Sequence, residues 1–183
     1  MEAAYKRFLK EILIDEQTLQ TRIAELGQQI TEHYADTDKL LLVCILKGGV
    51  MFLCDLCRHI QVPHEFDFMA VSSYGSGKRK SSGDVRIVMD LNTSLTGKHV
   101  LIVEDIIDSG HTLRAVMDLL WAREPASLRL CTLLDKSSRR EVEIGVDYVG
   151  FEIPDKFVFG YGLDLDEKFR NLPFIGVVDP TQL

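Results

Sequence analysis

His99-Val-Leu-Ile-Val-Glu-Asp-Ile-Ile-Asp-Ser-Gly-His-Thr-Leu113 joins an apolar, β-branched run to an acidic pair, two more aliphatics and a small polar loop. Val100 to Val103 has the length and branching of an inner parallel strand. Glu104 and Asp105 are therefore expected to emerge at its carboxyl end, where open α/β sheets bind ligands. Asp108-Ser-Gly-His-Thr112 then offers backbone N–H groups, two hydroxyls and a flexible glycine just ahead of the helical Leu113 to Leu120. Such a helix start cradles a phosphate dianion. Carboxylates repel phosphate, so the acidic pair is expected to hold ribose hydroxyls, Mg²⁺, or both. A pentose 5-phosphate meets both needs.

The order acidic pair, two aliphatics, Asp, Ser-Gly-x-Thr resembles the phosphoribosyl pyrophosphate (PRPP) motif of the type I phosphoribosyltransferases. By that resemblance Glu104, Asp105, Asp108, Ser109, Gly110, His111 and Thr112 bind PRPP and its 5-phosphate. His111 stands at a variable position of the loop and either adds charge to the phosphate or points outward.

Composition agrees with a small-molecule enzyme. With 183 residues and 46% hydrophobic content, the chain suffices for one domain, 1–183, with a sizeable core. A net charge of -7 argues against a nucleic-acid or anionic-membrane binder. The longest apolar stretch, Leu40 to Leu46, stops at Lys47, and the N-terminus shows no apolar secretory core, so no membrane span or signal is expected. Cys44, Cys54, Cys57 and Cys131 all have apolar neighbours and read as reduced core thiols, which suits the cytoplasm. Metal binding by Cys54 and Cys57 would need further ligands, and a redox role would need the pair at a helix start.

Asp15 can cap a helix whose apolar positions Leu19, Ile23, Leu26 and Ile30 recur at spacings of four and three. Strands are expected at Leu40–Leu46, Glu65–Ser73, Val85–Asp90, Ser127–Leu134, Asp147–Glu152, Phe157–Tyr161 and Phe174–Val178, with a helix at Val50–Ile60. The fold class is α/β: a mostly parallel twisted sheet with helices on both faces. The resemblance adds a small hood built from the N- and C-terminal segments.

Leu46-Lys-Gly-Gly49 ends the first core strand with glycines that let backbone N–H groups approach an anion. Taken alone it is an ordinary strand-to-helix turn. In the resembled family it is the pyrophosphate loop, with Lys47 after a non-proline cis peptide and Lys47 and Gly48 on pyrophosphate. Ser73 to Asp84 has three glycines, four serines and three consecutive cations and cannot build a core. It is either a solvated hairpin loop or, by the resemblance, a flexible lid with Ser73 and Tyr74 at its base.

From Lys136 to Arg170 the resemblance narrows to the members of the family that act on 6-oxopurines, with residues 136–170 as a purine-binding hood. It implies that Lys136 donates to the purine O6, a choice that rejects adenine. Phe157 stacks on the ring and the backbone of Val158 reads its edge. Asp164 faces either Mg²⁺ and pyrophosphate or the 2-amino group, and Arg170 clamps pyrophosphate. Taken singly, Phe157 could be core, and Asp164 and Arg170 surface charges.

The implied reaction transfers the 5-phosphoribosyl group from PRPP to N9 of hypoxanthine or guanine, giving IMP or GMP and pyrophosphate in purine salvage. Mg²⁺ is the implied cofactor, with Glu104, Asp105 and Asp164 as ligands, and Asp108 is the general base. The family implies a homodimer or homotetramer. Two other classes stand beside this reading. A PRPP-responsive nucleic-acid-binding regulator would need a further domain or a basic face. A phospho-accepting signalling domain would not need Lys-Gly-Gly, the Ser-Gly-x-Thr loop or the series from Lys136 to Arg170.

Overall fold

The computed structural model describes residues 4–73 and 85–182; after a short 3-10 helix at Ala4–Arg7 comes a strand that the sequence pattern does not announce, β1 (Leu9–Ile14). Its residues are mostly exposed and do not alternate, so the period-two signal of a half-buried strand is missing. Asp15 then caps α1 (Glu16–His33) as expected, accepting the Thr18 N–H at 2.8 Å. Leu19, Ile23, Leu26 and Ile30 form its buried stripe.

The main sheet comprises β2 (Leu40–Leu46), β3 (His64–Ser73), β4 (Val85–Met89), β5 (His99–Ile107), β6 (Ser127–Asp135) and β7 (Tyr148–Glu152), in the order β4-β3-β2-β5-β6-β7. Only β4 runs antiparallel to its neighbour. The helix α2 (Val50–His59) follows β2, and α3 (His111–Trp121) follows β5. Alternate residues of β2 serve opposite faces. Leu40, Leu42 and Cys44 pack in one core with α1 and α2 residues such as Leu19, Ile23, Phe52 and Leu56. Leu41, Val43 and Ile45 join Leu113, Val116 and Leu120 of α3 in another. A parallel sheet covered on both faces reads as an unbroken apolar run, which is why β2 was legible.

The connection β2-α2-β3 leads to one side of β2, and β5-α3-β6 leads to the other side of β5. The paired strands β2 and β5 therefore flank the point where the winding reverses, and the turns that leave their carboxyl ends diverge into a crevice. Across it lies the hood, an antiparallel sheet β1-β9-β8 made with β8 (Val158–Phe159) and β9 (Ile175–Val178). Phe159, Leu165, Leu172 and Val178 give it a small core of its own.

Two expectations change, and a third falls outside the described residues. The motif strand runs on to Ile107, so Glu104 and Asp105 lie within β5 and not beyond its end; pairing with β6 continues through Ile107 and keeps the backbone extended. Cys54 is exposed and Cys57 half-buried, so only Cys44 and Cys131 are core thiols, because α2 turns its Phe52, Leu53 and Leu56 face inward. The lid expected over residues 74–84, with Tyr74 at its base, lies outside the described residues, and Ser73 ends β3. Among the described residues no helix is long and apolar enough to cross a membrane.

Gly150 of β7 lies so close to β6 that a Cβ there would stand 2.4 Å from the Leu133 carbonyl oxygen. Gly150→Ala is expected to destabilise the fold by about 1–3 kcal/mol, since backbone on both sides must shift. Urea unfolding followed by circular dichroism checks it; an unchanged midpoint would mean that the two strands part freely.

Candidate active site

At the carboxyl ends of β2 and β5 a cavity of about 260 Å³ is lined by Ile45, Glu104, Asp108, Ser109, Gly110 and Thr112, among others. The polar loop is shaped by Gly110, whose φ of 89° is left-handed and which starts α3 without a side-chain cap. The first-turn N–H groups thus remain for an anion. His111, expected in the loop, is already the first residue of α3, and its Nε2 is paired with Glu141 Oε2 at 2.9 Å. The Glu141 N–H is bonded to the Ser109 carbonyl at 3.0 Å.

Glu104 and Asp105 form the floor. Burial first, then the neighbouring Asp105 charge, raises the Glu104 carboxyl well above the ordinary glutamate range. Burial pushes Asp105 up to about 6, opposed by backbone N–H donors, including Ile106 at 2.8 Å, and by the Arg170 charge. Glu104 Oε2 is buried with no hydrogen-bond partner. Such an oxygen, beside a second carboxyl, suits a divalent cation or a pair of hydroxyls.

The turn after β2 closes on this floor. The Leu46–Lys47 peptide is cis, as the resemblance implies. Gly48 touches Asp105 so closely that a Cβ would lie 1.5 Å from its Oδ2. From the far side, Gly162 presses on the Gly48 carbonyl, with a φ of 97° and room for no Cβ.

Above the floor, Asp108 is exposed and accepts from Arg139 Nε at 3.2 Å; Arg139 also stands 3.8 Å from Asp155. Lys136 is 7% exposed, its Nζ 4.0 Å from Asp155. Its backbone N–H donates to the Ile107 carbonyl at 3.0 Å, bringing the end of β6 beside the end of β5. Phe157 is 53% exposed, which removes the reading of it as core. Val158 is buried in β8, and the Phe157 carbonyl accepts from Val178 at 2.8 Å.

Arg170 donates to the Gly162 carbonyl at 2.8 Å and lies 2.9 Å from Asp164 and 3.3 Å from Glu167. Lys47 Nζ reaches the same Glu167 at 2.8 Å. Lys47 first, then Arg170, holds the Glu167 carboxyl below its usual range. Among the described residues no group of three or more His, Cys, Asp or Glu is placed to hold a metal ion. The expected trio Glu104, Asp105 and Asp164 is accordingly not gathered, because Asp164 is turned to Arg170 and to the Glu167 N–H. Glu104 and Asp105 remain a pair.

Sequence reasoning missed the partners that these residues hold: Arg139, Asp155, Glu141 and Glu167. The basic turn after β6 was visible as Arg139-Arg140. Pairs 31 or 120 residues apart leave no periodic trace.

A family model described as a phosphoribosyl transferase domain matches residues 10–168. The chain is 56% identical to the hypoxanthine phosphoribosyltransferase of Salmonella typhimurium, over 92% of this chain and 94% of that one. It is 49% identical to the hypoxanthine-guanine phosphoribosyltransferase of Bacillus subtilis, over 96% and 97%. A crystal structure of a Staphylococcus aureus hypoxanthine phosphoribosyltransferase superposes with a TM-score of 0.94 at 46% identity, covering 99% of this chain and 97% of that one.

The raised pKa of Glu104 bears on stability. A carboxyl whose folded pKa exceeds its unfolded one is bound more tightly to its proton in the fold. Its stabilising contribution is full below the ordinary glutamate value and fades as pH rises through the raised value. Glu104→Gln keeps the neutral shape at every pH. It is expected to raise the melting temperature of the ligand-free protein at pH 8 by a few degrees, at about 2–4 °C per kcal/mol, and to change it little at pH 4. Calorimetry at the two pH values checks this; a lower melting temperature at pH 8 would mean that the ionised carboxylate is already satisfied.

Proposed function

The chain belongs to the phosphoribosyl transferase family, and from that premise we propose that it transfers the 5-phosphoribosyl group of PRPP to N9 of hypoxanthine or guanine, releasing IMP or GMP and pyrophosphate. The observation that carries the 6-oxopurine preference is Lys136, a buried lysine just past the end of β6 whose side-chain nitrogen stands 4.0 Å from Asp155. A buried donor left unpaired is costly, so a base with an acceptor at C6 is selected over adenine, whose 6-amino group is itself a donor.

In this reading Ser109 to Thr112 hold the 5-phosphate through backbone N–H groups and hydroxyls at the start of α3. Glu104 and Asp105 accept from the ribose diol. Phe157 stacks on the purine, and the Val158 backbone reads its edge. Lys47, Gly48 and Arg170 receive the pyrophosphate. As N9 forms its bond to C1 of the sugar, the bond from C1 to the pyrophosphate oxygen breaks and its electron pair leaves with pyrophosphate. The purine N7 proton passes to Asp108, whose Arg139 partner keeps the carboxylate turned to the site. Glu104 and Asp105 fit Mg²⁺, by the unpartnered Glu104 Oε2 and by the raised pKa values that a cation would lower. Bound there, Mg²⁺ supplies positive charge against the oxygens of PRPP; Asp164 would join it only by leaving Arg170.

The purine hood at residues 136–170, a cytoplasmic setting and a homodimer or homotetramer complete the proposal. Free cysteines among the described residues agree with a reducing compartment.

Incubation with PRPP, Mg²⁺ and each free purine is expected to yield nucleotide from hypoxanthine and guanine and not from adenine; comparable kcat/KM for adenine overturns the purine assignment. Lys136→Met is expected to lower kcat/KM for 6-oxopurines and to weaken that discrimination. Asp108→Asn is expected to reduce the single-turnover rate by about 10²–10⁴ with PRPP binding nearly intact. An unchanged rate would take the general-base role from Asp108.

A further inference from the structure

Lys47 and Arg170 come from opposite walls of the crevice, yet one oxygen serves both. Glu167 Oε2 lies 2.8 Å from Lys47 Nζ and 3.3 Å from Arg170 Nη2. The turn that carries it is built to aim it. Asp166 and Glu167 are both left-handed, with φ of 54° and 61°, a conformation that non-glycine residues adopt only when the surroundings hold them. Asp164 Oδ2 accepts the Glu167 N–H at 2.9 Å, and Leu165 and Lys168 close the turn with reciprocal backbone bonds, each 3.1 Å. Asp164 pairs with Arg170 and Asp166 with Lys168. Glu167 alone spans to the β2 turn.

A carboxylate is the nearest side-chain equivalent of a phosphate edge: planar or pyramidal, both present oxygens that accept from an ammonium and a guanidinium together. We propose that Glu167 is a positioning residue that stands in for pyrophosphate, bridging Lys47 and Arg170 while their subsite is free and yielding both to the pyrophosphate group of PRPP or to the released product. It rests on the assignment of Lys47 and Arg170 to pyrophosphate made above. The bridge has two consequences. It holds two long side chains in the subsite before substrate arrives, and it competes with pyrophosphate for them, which weakens product retention. Lys47 and Glu167 are 68% and 67% exposed, so water screens the bridge, and the competition amounts to about three- to tenfold in affinity.

Titration calorimetry of inorganic pyrophosphate in Mg²⁺ buffer into the full chain tests this with Glu167→Gln, Lys47→Met, Arg170→Gln and the double variant Lys47→Met with Glu167→Gln. Glu167→Gln is expected to bind pyrophosphate about three- to tenfold tighter. Its inhibition constant for pyrophosphate and its KM for PRPP are expected to fall with it, and kcat to fall where product release limits turnover. Its melting temperature is expected to stay within a degree or so of the parent, as suits an exposed side chain. The gain is expected to shrink in the double variant. Equal or weaker binding by Glu167→Gln, with Lys47→Met or Arg170→Gln still losing affinity, overturns the stand-in role and makes Glu167 neutral or a contributor to the subsite. Pyrophosphate binding that neither Lys47→Met nor Arg170→Gln weakens would instead remove the pyrophosphate assignment, and the stand-in role with it.

Discussion

Glu104 and Asp105 occupy a strand whose preceding residues, Val100 to Val103, are excluded from water, and the site is organised around holding two acids there. Burial opposes the ionisation of both, the Asp105 charge further opposes that of Glu104, and a buried charge costs several kcal/mol unless it is met by a cation or by hydrogen-bond donors. The two cores on either face of the sheet make that position tolerable. Because β5 stays paired with β6 through Ile107, the acidic residues cannot swing out to solvent as loop residues would. The groups able to meet them are those that can enter the crevice. A sugar diol brings donors and a divalent cation brings charge, and a phosphoribosyl substrate with its metal brings both.

The purine side is fastened to the same frame. Tyr161 donates to Asp55 of α2 at 2.6 Å, and Gln20 of α1 donates to the same oxygen at 2.9 Å. Gly162 packs on Gly48, and Arg170 bonds the Gly162 carbonyl. The segment that carries Phe157, Val158 and Asp164 is thus tied to the β2–α2 unit that carries the Lys47-Gly48 turn, the proposed pyrophosphate subsite. A small error in either would misplace the base relative to C1 of the sugar, and reaction rates are steep in that separation. Tyr161 itself is left-handed, with φ of 47°, a conformation held in place by the bonds on either side of it.

What could be read from sequence follows from where the signal lies. β2 and the first half of β5 are unbroken apolar runs, α1 has a cap and a buried stripe, and the phosphate loop is a contiguous motif, so each is local and legible. β1 was not, because its pairing with β9 across most of the chain leaves five of its six residues partly or largely in water. The continuation of β5 past Asp105 was hidden by its own acids, which look like a loop and lie in a sheet. Lys136, Phe157, Asp164 and Arg170 were found only through the resemblance. The structure brings Lys136 to the end of β5 through its Ile107 bond and Arg170 to the Lys47 turn through Glu167. Neither juxtaposition is encoded by spacing. The exposure of Cys54 was missed for a simpler reason: three apolar neighbours in sequence do not say which face of a short helix they share.

The chain has a net charge of -7, yet the proposed substrates PRPP and pyrophosphate are polyanions, and the pairing of its cations reconciles the two. Lys47 and Arg170 meet Glu167, Arg170 also meets Asp164, and Arg139 meets Asp108. Each of these three cations already has a carboxylate partner, so among the described residues they add little positive field to the crevice and little long-range steering. Binding is then an exchange of anions at short range, decided by how well a substrate oxygen replaces a carboxylate oxygen at each cation. Such a site gives up affinity to keep its donors ordered. It also discriminates by shape: a free phosphate in the Ser109 to Thr112 loop displaces none of these pairs. In the proposed site a pyrophosphate attached to C1 of a ribose would reach both the β2 turn and Arg170. In the proposed reaction the same pairing bears on Asp108, whose carboxylate is held by Arg139 at 3.2 Å and would take up the purine proton from that position.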